Sequence, residues 1–144
     1  MASLNPTTGI LGIQRASHLL RRATFGPNIS SINSFATMTA QDAVTALFLP
    51  DSDPVFPVDP LNGTDWVFPN TKHPDTFNDT LSRYTCSWWM ENARASGMNL
   101  TERMIWFYYT HFPMIMSRIE GRPQFSIDYL RLLRYYALGN YKEL

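Results

Sequence analysis

The chain of 144 residues is short of cysteine, of lysine and of long apolar runs, and each shortage excludes something. A single thiol, Cys86, closes no intrachain disulfide, and its place beside Trp88 and Trp89 predicts a small core residue. No stretch approaches the ~18 consecutive apolar residues of a membrane-spanning helix. Residues 1–12 carry neither a basic n-region nor an apolar h-region, so no signal peptide is visible and the cytoplasm is the default compartment. Formal net charge is zero, so no global field draws the chain to nucleic acid or an anionic membrane. The aromatics are not interleaved with Lys and Arg in a strand pattern, which removes the usual signal for base stacking. His18, His73 and His111 are isolated from one another, and no His-Glu-x-x-His or Cys-x-x-Cys occurs, so no metal site and no cofactor is expected. The Asp59 to Asp65 stretch fails as a calcium loop because Leu61 and Gly63 stand where oxygen ligands are needed. There is no Gly-x-Ser-x-Gly elbow, phosphate-cradling glycine loop or dinucleotide fingerprint.

What is present is an aromatic-rich interior, 44% hydrophobic and 14% aromatic, long enough for one domain with one core. The pattern predicts an all-α fold, an irregular multi-helix domain divided into an extended tail (1–12), a helical part (13–49), a loop (50–74) and a second helical part (75–144). Ile13, Ala16, Leu20 and Ala23 fall at helical spacing, and Gly26-Pro27 ends that helix. Asn28 or Ser30 caps a second helix to about Thr37, and Thr39 caps a third, Ala40 to Leu49, burying Ala43, Val44, Leu47 and Phe48. Pro50 stops it. A Pro/Asp-rich surface excursion follows, anchored by Val55, Phe56, Val58, Leu61, Trp66, Val67 and Phe68, with a short β-pairing near Trp66. Next come helices from Asp75 or Asp79 to Ala95, from Asn99 or Thr101 to Phe112, and from Gln124 to Leu138 after the Gly121-Arg122-Pro123 break. The middle one is apolar nearly all round, which predicts an enclosed element. Gly139 stops the last helix, and Asn140 caps another where the chain runs out, so a fragment is expected.

Ten of the twelve basic residues are Arg, a bias suited to planar, two-pronged ion pairs between segments. The signs segregate: Arg15, Arg21 and Arg22 precede any acid, whereas Asp42, Asp51, Asp53, Asp59, Asp65, Asp75 and Asp79 follow with only Lys72 among them. Arg15, His18 and Arg22 share one face of the first helix. That strip could hold a phosphate, sulfate or carboxylate, but pairing with the acidic excursion is the favoured reading. His111 lies at helical spacing from Met104 and Phe107, which favours a buried, hydrogen-bonded imidazole over a catalytic or metal role.

Three ordered phrases carry a resemblance: His18-Leu19-Leu20-Arg21-Arg22-Ala23-Thr24-Phe25-Gly26-Pro27, Glu102-Arg103-Met104 leading to His111-Phe112, and Tyr136-Ala137-Leu138-Gly139-Asn140-Tyr141-Lys142-Glu143-Leu144. Together they resemble the bacterial family called domain of unknown function 1800. The resemblance implies a mostly helical protein of several hundred residues with further signatures beyond Leu144. The remaining C-terminal part would then be this chain's partner. It also implies frequent export and genetic proximity to sulfatase-like proteins, a second candidate partner. Relatives commonly place a His-x-His pair before the Phe; here Tyr109 stands at its first position. The candidate polar cluster is therefore His18, Arg22, His111, Arg134 and Asn140. It is read either as the fasteners of a helical structural or interaction module, or as part of a hydrolase-like enzyme or an anion- or carbohydrate-binding site completed by the C-terminal part.

Overall fold

The caps written into the sequence set the helix boundaries of the computed structural model, which describes residues 7–61, 63, 65–67, 78–115 and 124–143. Helix α1 (Gly12–Ala23) buries Ala16, Leu20 and Ala23 at spacings of four and three. It ends where Thr24 turns extended and Gly26 takes φ +146°, a conformation L side chains rarely adopt. Helix α2 (Ile29–Ala36) opens with Asn28 Oδ1 accepting from Ser31 N–H at 2.8 Å. Helix α3 (Ala40–Leu47) opens with a reciprocal cap: Thr39 Oγ1 accepts from Asp42 N–H at 3.2 Å and donates to Asp42 Oδ2 at 2.8 Å. Helices α4 (Asn78–Ala95), α5 (Thr101–His111) and α6 (Gln124–Tyr136) follow, and a short 3-10 turn (Tyr141–Glu143) begins where Asn140 Oδ1 accepts from Lys142 N–H. Among the described residues there are six α-helices and no β-strand, so the all-α expectation holds. No helix there is long and apolar enough to cross a membrane.

The helices pack as two trios. Ala16, Leu20, Ala23, Phe35, Ala36, Ala43 and Leu47 form the core of α1–α3. Trp89, Ile105, Tyr108, Leu130, Leu133 and Ala137 form that of α4–α6, with a neighbouring cluster of Trp66, Val67, Leu81 and Ile127. The trios meet where Leu100 N–H donates to Leu47 O at 2.8 Å and where the Phe25 ring stands edge-on to Trp106, under the Arg103 guanidinium. The excursion is fastened to the second trio as expected at its far end: Trp66 is fully buried and its carbonyl accepts from Gln124 Nε2. Nearer its start, Val55 O accepts from the Trp88 indole at 2.7 Å. Its β-pairing is one isolated antiparallel bridge, Val58 to Asp65.

Several apolar expectations give way. Cys86 is exposed: α4 buries Leu81, Ser82, Thr85 and Trp89, and beyond Ser82 the buried stripe continues through Thr85 and Trp89, with Cys86 about 100° round from Thr85. Thr85 holds its core position by donating to Leu81 O. Val44 and Phe48 are exposed, since an eight-residue helix offers a single stripe and Ala43 and Leu47 fill it. Helix α5 is not enclosed: Ile105 and Tyr108 face inward while Trp106 and Phe107 face out. Val55, Val58 and Leu61 are exposed rather than anchoring. Phe68, His73, the Asp75 start of the fourth helix and the 121–123 break lie outside the described residues.

Candidate functional site

The acid that opens α5 and the arginine that closes α6 meet. Glu102, 2% exposed, accepts from Arg134 Nη1 through Oε1. Arg134 also donates through Nη2 to Ser52 O at 3.0 Å, with Asp51 3.8 Å from Nη2 and Asp53 3.7 Å from Nε. One guanidinium thus ties the start of the excursion to two helices remote in sequence. It can do so because its five donors lie in a fixed plane, which a single lysine ammonium could not reproduce. Burial pushes the Glu102 carboxyl above the ordinary range; Arg134 opposes that push, Asp51 adds to it, and the Trp89 indole relieves a little of it. No hydrogen bond of ordinary geometry reaches Glu102 Oε2 among the described residues.

Two cavities flank the pair. A cleft of about 610 Å³ runs from Pro50, Asp51 and Asp53 across α6 to Leu138 and Gly139. A smaller space of about 160 Å³ shares Asp51 and Arg134 with it and has Ser52, Asn92, Ser96 and Glu102 in its wall. A third hollow of about 380 Å³ is apolar, formed by Phe112, Tyr129, Leu132, Leu133 and Tyr141.

The five polar candidates are placed differently from one another. Arg134 is the half-buried centre just described. His18 and Arg22 are exposed on α1, and the acidic excursion they were expected to meet is engaged by Arg134 instead. His111, expected inside, is exposed at the end of α5; its ring lies on Phe107, 4.1 Å between centroids, and Nδ1 is 2.8 Å from Phe107 O. A carbonyl only accepts, so Nδ1 carries the proton in the neutral ring and Nε2 is the acceptor. Asn140 is an exposed cap. Among the described residues no hydrogen bond, ion pair or ring contact joins any two of the five.

Tyr109 and His111 do not act as a pair either. The Tyr109 ring turns inward between Trp89 and Tyr129, its hydroxyl donates to Met114 O at 2.7 Å, and burial raises its pKa. Glu102, Asp51 and Asp53 were missing from the candidates. The available signal was Glu102 itself, the one acid in an otherwise greasy helix, a position that burial makes costly without a cationic partner.

No curated protein and no solved structure matches the chain. Of the two residues that clamp the interior, Glu102 opens the second signature and Arg134 lies just ahead of the third. The match runs over residues 18–144, nearly the whole length, and the chain belongs to the family described as Protein of unknown function (DUF1800).

Proposed function

We propose that the chain is a helical structural and interaction module whose polar signature residues hold its helices together. The observation that carries this reading is the saturation of Arg134: Glu102, Ser52 O, Asp51 and Asp53 surround it. A guanidinium so occupied fastens segments; three carboxylates around it repel the anion that a sulfate- or phosphate-binding arginine would recruit. The exposed imidazole of His111, bonded to its own helix, supports no acid–base partnership with that centre. The apolar hollow beside Tyr141 supports an interaction role, its occupant being the C-terminal part of the same protein that family resemblance implies.

The test is amide exchange and limited proteolysis of Arg134→Met in the full protein. Exchange at Ser52 and Asp53 should rise and cleavage should appear in 50–61, while α1–α3 keeps its protection. Unchanged protection of the excursion would remove the fastening role. Turnover of a substrate, lost in His111→Ala with the melting temperature intact, would replace the reading by an enzymatic one.

A further inference from the structure

Net neutrality conceals a separation of charge. Helices α1, α2 and α5 hold four arginines and two histidines against one acid, Glu102, which is buried and bound to Arg134. On α1, Arg15, His18, Arg21 and Arg22 fall within about 120° of the helix surface, opposite the buried Ala16, Leu20 and Ala23, and the strip runs on the order of 10 Å along the axis. All four are exposed, and none has an ion-pair or hydrogen-bond partner among the described residues. The nearest acid in sequence, Asp42, is turned to Thr39 at the start of α3, and Asp51 and Asp53 lie at Arg134. The helix dipole accounts for Arg21 and Arg22 in the last turn but not for Arg15 and His18. A helix face of one sign without a counter-charge attracts an anionic partner.

The outward face of α5 continues this surface. Arg103, Trp106, Phe107 and Thr110 lie opposite the buried Ile105 and Tyr108. The two helices join through Phe25, just past the end of α1: its ring stands edge-on to Trp106, 6.4 Å between centroids, with the Arg103 guanidinium 5.2 Å above it. Phe25, Trp106 and Phe107 are 40%, 39% and 47% exposed, so large rings lie in water beside the cations of both helices. Single exposed apolar side chains are ordinary, whereas a contiguous run of them marks a contact surface.

Three observations choose among anionic partners. The charge is carried by guanidinium groups, which pair in a two-pronged way with phosphate. None of the three hollows described above includes any residue of this face, so it offers no seat for a small molecule and suits a broad charged surface. Arg103 lies over Phe25, and Trp89 packs against Trp106 at 5.5 Å, so ring faces on which bases would stack are already taken. Indole and phenyl rings set among arginines match the headgroup layer of a bilayer, where amphipathic side chains rest between phosphate and acyl chain.

We propose that the outward faces of α1 and α5 dock on the surface of an anionic phospholipid bilayer, with their arginines at the phosphates and Phe25, Trp106 and Phe107 at headgroup depth. The contact is peripheral, since no helix among the described residues is long and apolar enough to cross. This goes beyond the module reading and stands without it, because it uses none of the groups around Arg134.

Co-sedimentation of the full protein with lipid vesicles tests it. Phosphatidylcholine vesicles carrying about 30 mol% phosphatidylglycerol should bind on the order of 100-fold more tightly than pure phosphatidylcholine, at about three- to fivefold per arginine, and ~1 M NaCl should remove most of that difference. The double variant Arg21→Gln/Arg22→Gln should bind about 10- to 25-fold more weakly, and Arg103→Gln about three- to fivefold. Brominated phosphatidylcholine in the same vesicles should quench tryptophan fluorescence in the wild type, whereas Trp106→Phe should bind within about threefold of it and lose most of the quenching. Equal binding to neutral vesicles overturns the proposal, as does undiminished binding by the double variant, both of whose sites are exposed and leave the fold intact. Quenching that persists in Trp106→Phe overturns it too. Tighter binding to duplex DNA or to polyglutamate than to the anionic vesicles, compared per unit charge, also overturns it and gives the face to nucleic acid or to an acidic protein.

Discussion

The two helical trios are built from different materials. The core of α1–α3 is aliphatic and small, four of its seven buried members being alanine, with caps formed between residues three apart in sequence. The core of α4–α6 is built from larger side chains, with Trp89 and Tyr108 among Ile105, Leu130 and Leu133 and further rings packed at its margin. Trp89 meets Trp106 at 5.5 Å and Tyr109 at 5.0 Å between ring centroids, and the buried ion pair joins residues 32 apart in sequence. Alanine faces let helices approach closely, so local periodicity and caps suffice to define the first trio. Large rings leave gaps and polar edges, so the second needs directional fasteners from distant segments. Failure of the first trio should therefore follow lost volume, and failure of the second lost charge.

Replacing Arg134 by Ala should produce the largest effect, about 3–5 kcal/mol in urea unfolding, because Glu102 is left charged and alone in the interior. Leu20→Ala should follow at roughly 2–5 kcal/mol, the range for a fully buried leucine, and should not depend on pH. Equal insensitivity of both variants to pH would erase the contrast between the trios.

The first trio was legible in its helices and caps, because the signals that bound them are local. Asn28 and Thr39 announce their helices, Gly26 and Pro50 mark helix ends, and Ala16, Leu20, Ala23, Ala43 and Leu47 are buried as their spacing implies, whereas Ile13, Val44 and Phe48 from the same readings lie exposed. The second trio was legible in its elements but not in its centre. Arg134 stood out as a charge on an amphipathic helix. Its partners did not, because Ser52 O is a backbone atom, and Asp51 and Asp53 were two of seven acids in a stretch without periodicity. The error at His111 has the same root. Helical spacing from Met104 and Phe107 shows that the three share a face; it does not show that the face meets another element, and here Phe107 is itself exposed.

The pH dependence sharpens the contrast further. Burial raises the folded-state pKa of Glu102 above its ordinary value of 4.5. The folded protein then holds that proton more tightly than the unfolded chain. Its contribution is full below about pH 4.5 and is lost as pH rises through the folded value. Glu102→Gln mimics the protonated form, so its stability deficit relative to the wild type should shrink as pH rises through that window. At neutral pH it should cost only about 1–2 kcal/mol, less than Arg134→Ala, because Arg134 keeps Ser52 O, Asp51 and Asp53. In Arg134→Ala the countervailing charge is gone, and the decline with rising pH should be steeper than in the wild type. A flat difference between Glu102→Gln and wild type from pH 4 to pH 8 would show that the carboxyl titrates alike in both states.

The smallest effects belong to the edges of the two trios. Thr39→Ala removes an acceptor for Asp42 N–H at the start of α3 and should cost about 1 kcal/mol. His111→Ala removes an exposed ring from the end of α5 and should change stability by no more than about 0.5 kcal/mol. The second comparison is the sharper one, since the imidazole was expected to be a buried fastener of the aromatic trio. Its ring contact is to Phe107 and its Nδ1 bond is to the Phe107 carbonyl, both on its own helix. Deleting it costs one contact within a single turn and leaves Tyr108 stacked with Tyr141 as before. A loss of 2 kcal/mol or more in His111→Ala would mean that this end of α5 bears load for the whole trio, and that the polar fastening of α4–α6 has a second centre besides Arg134.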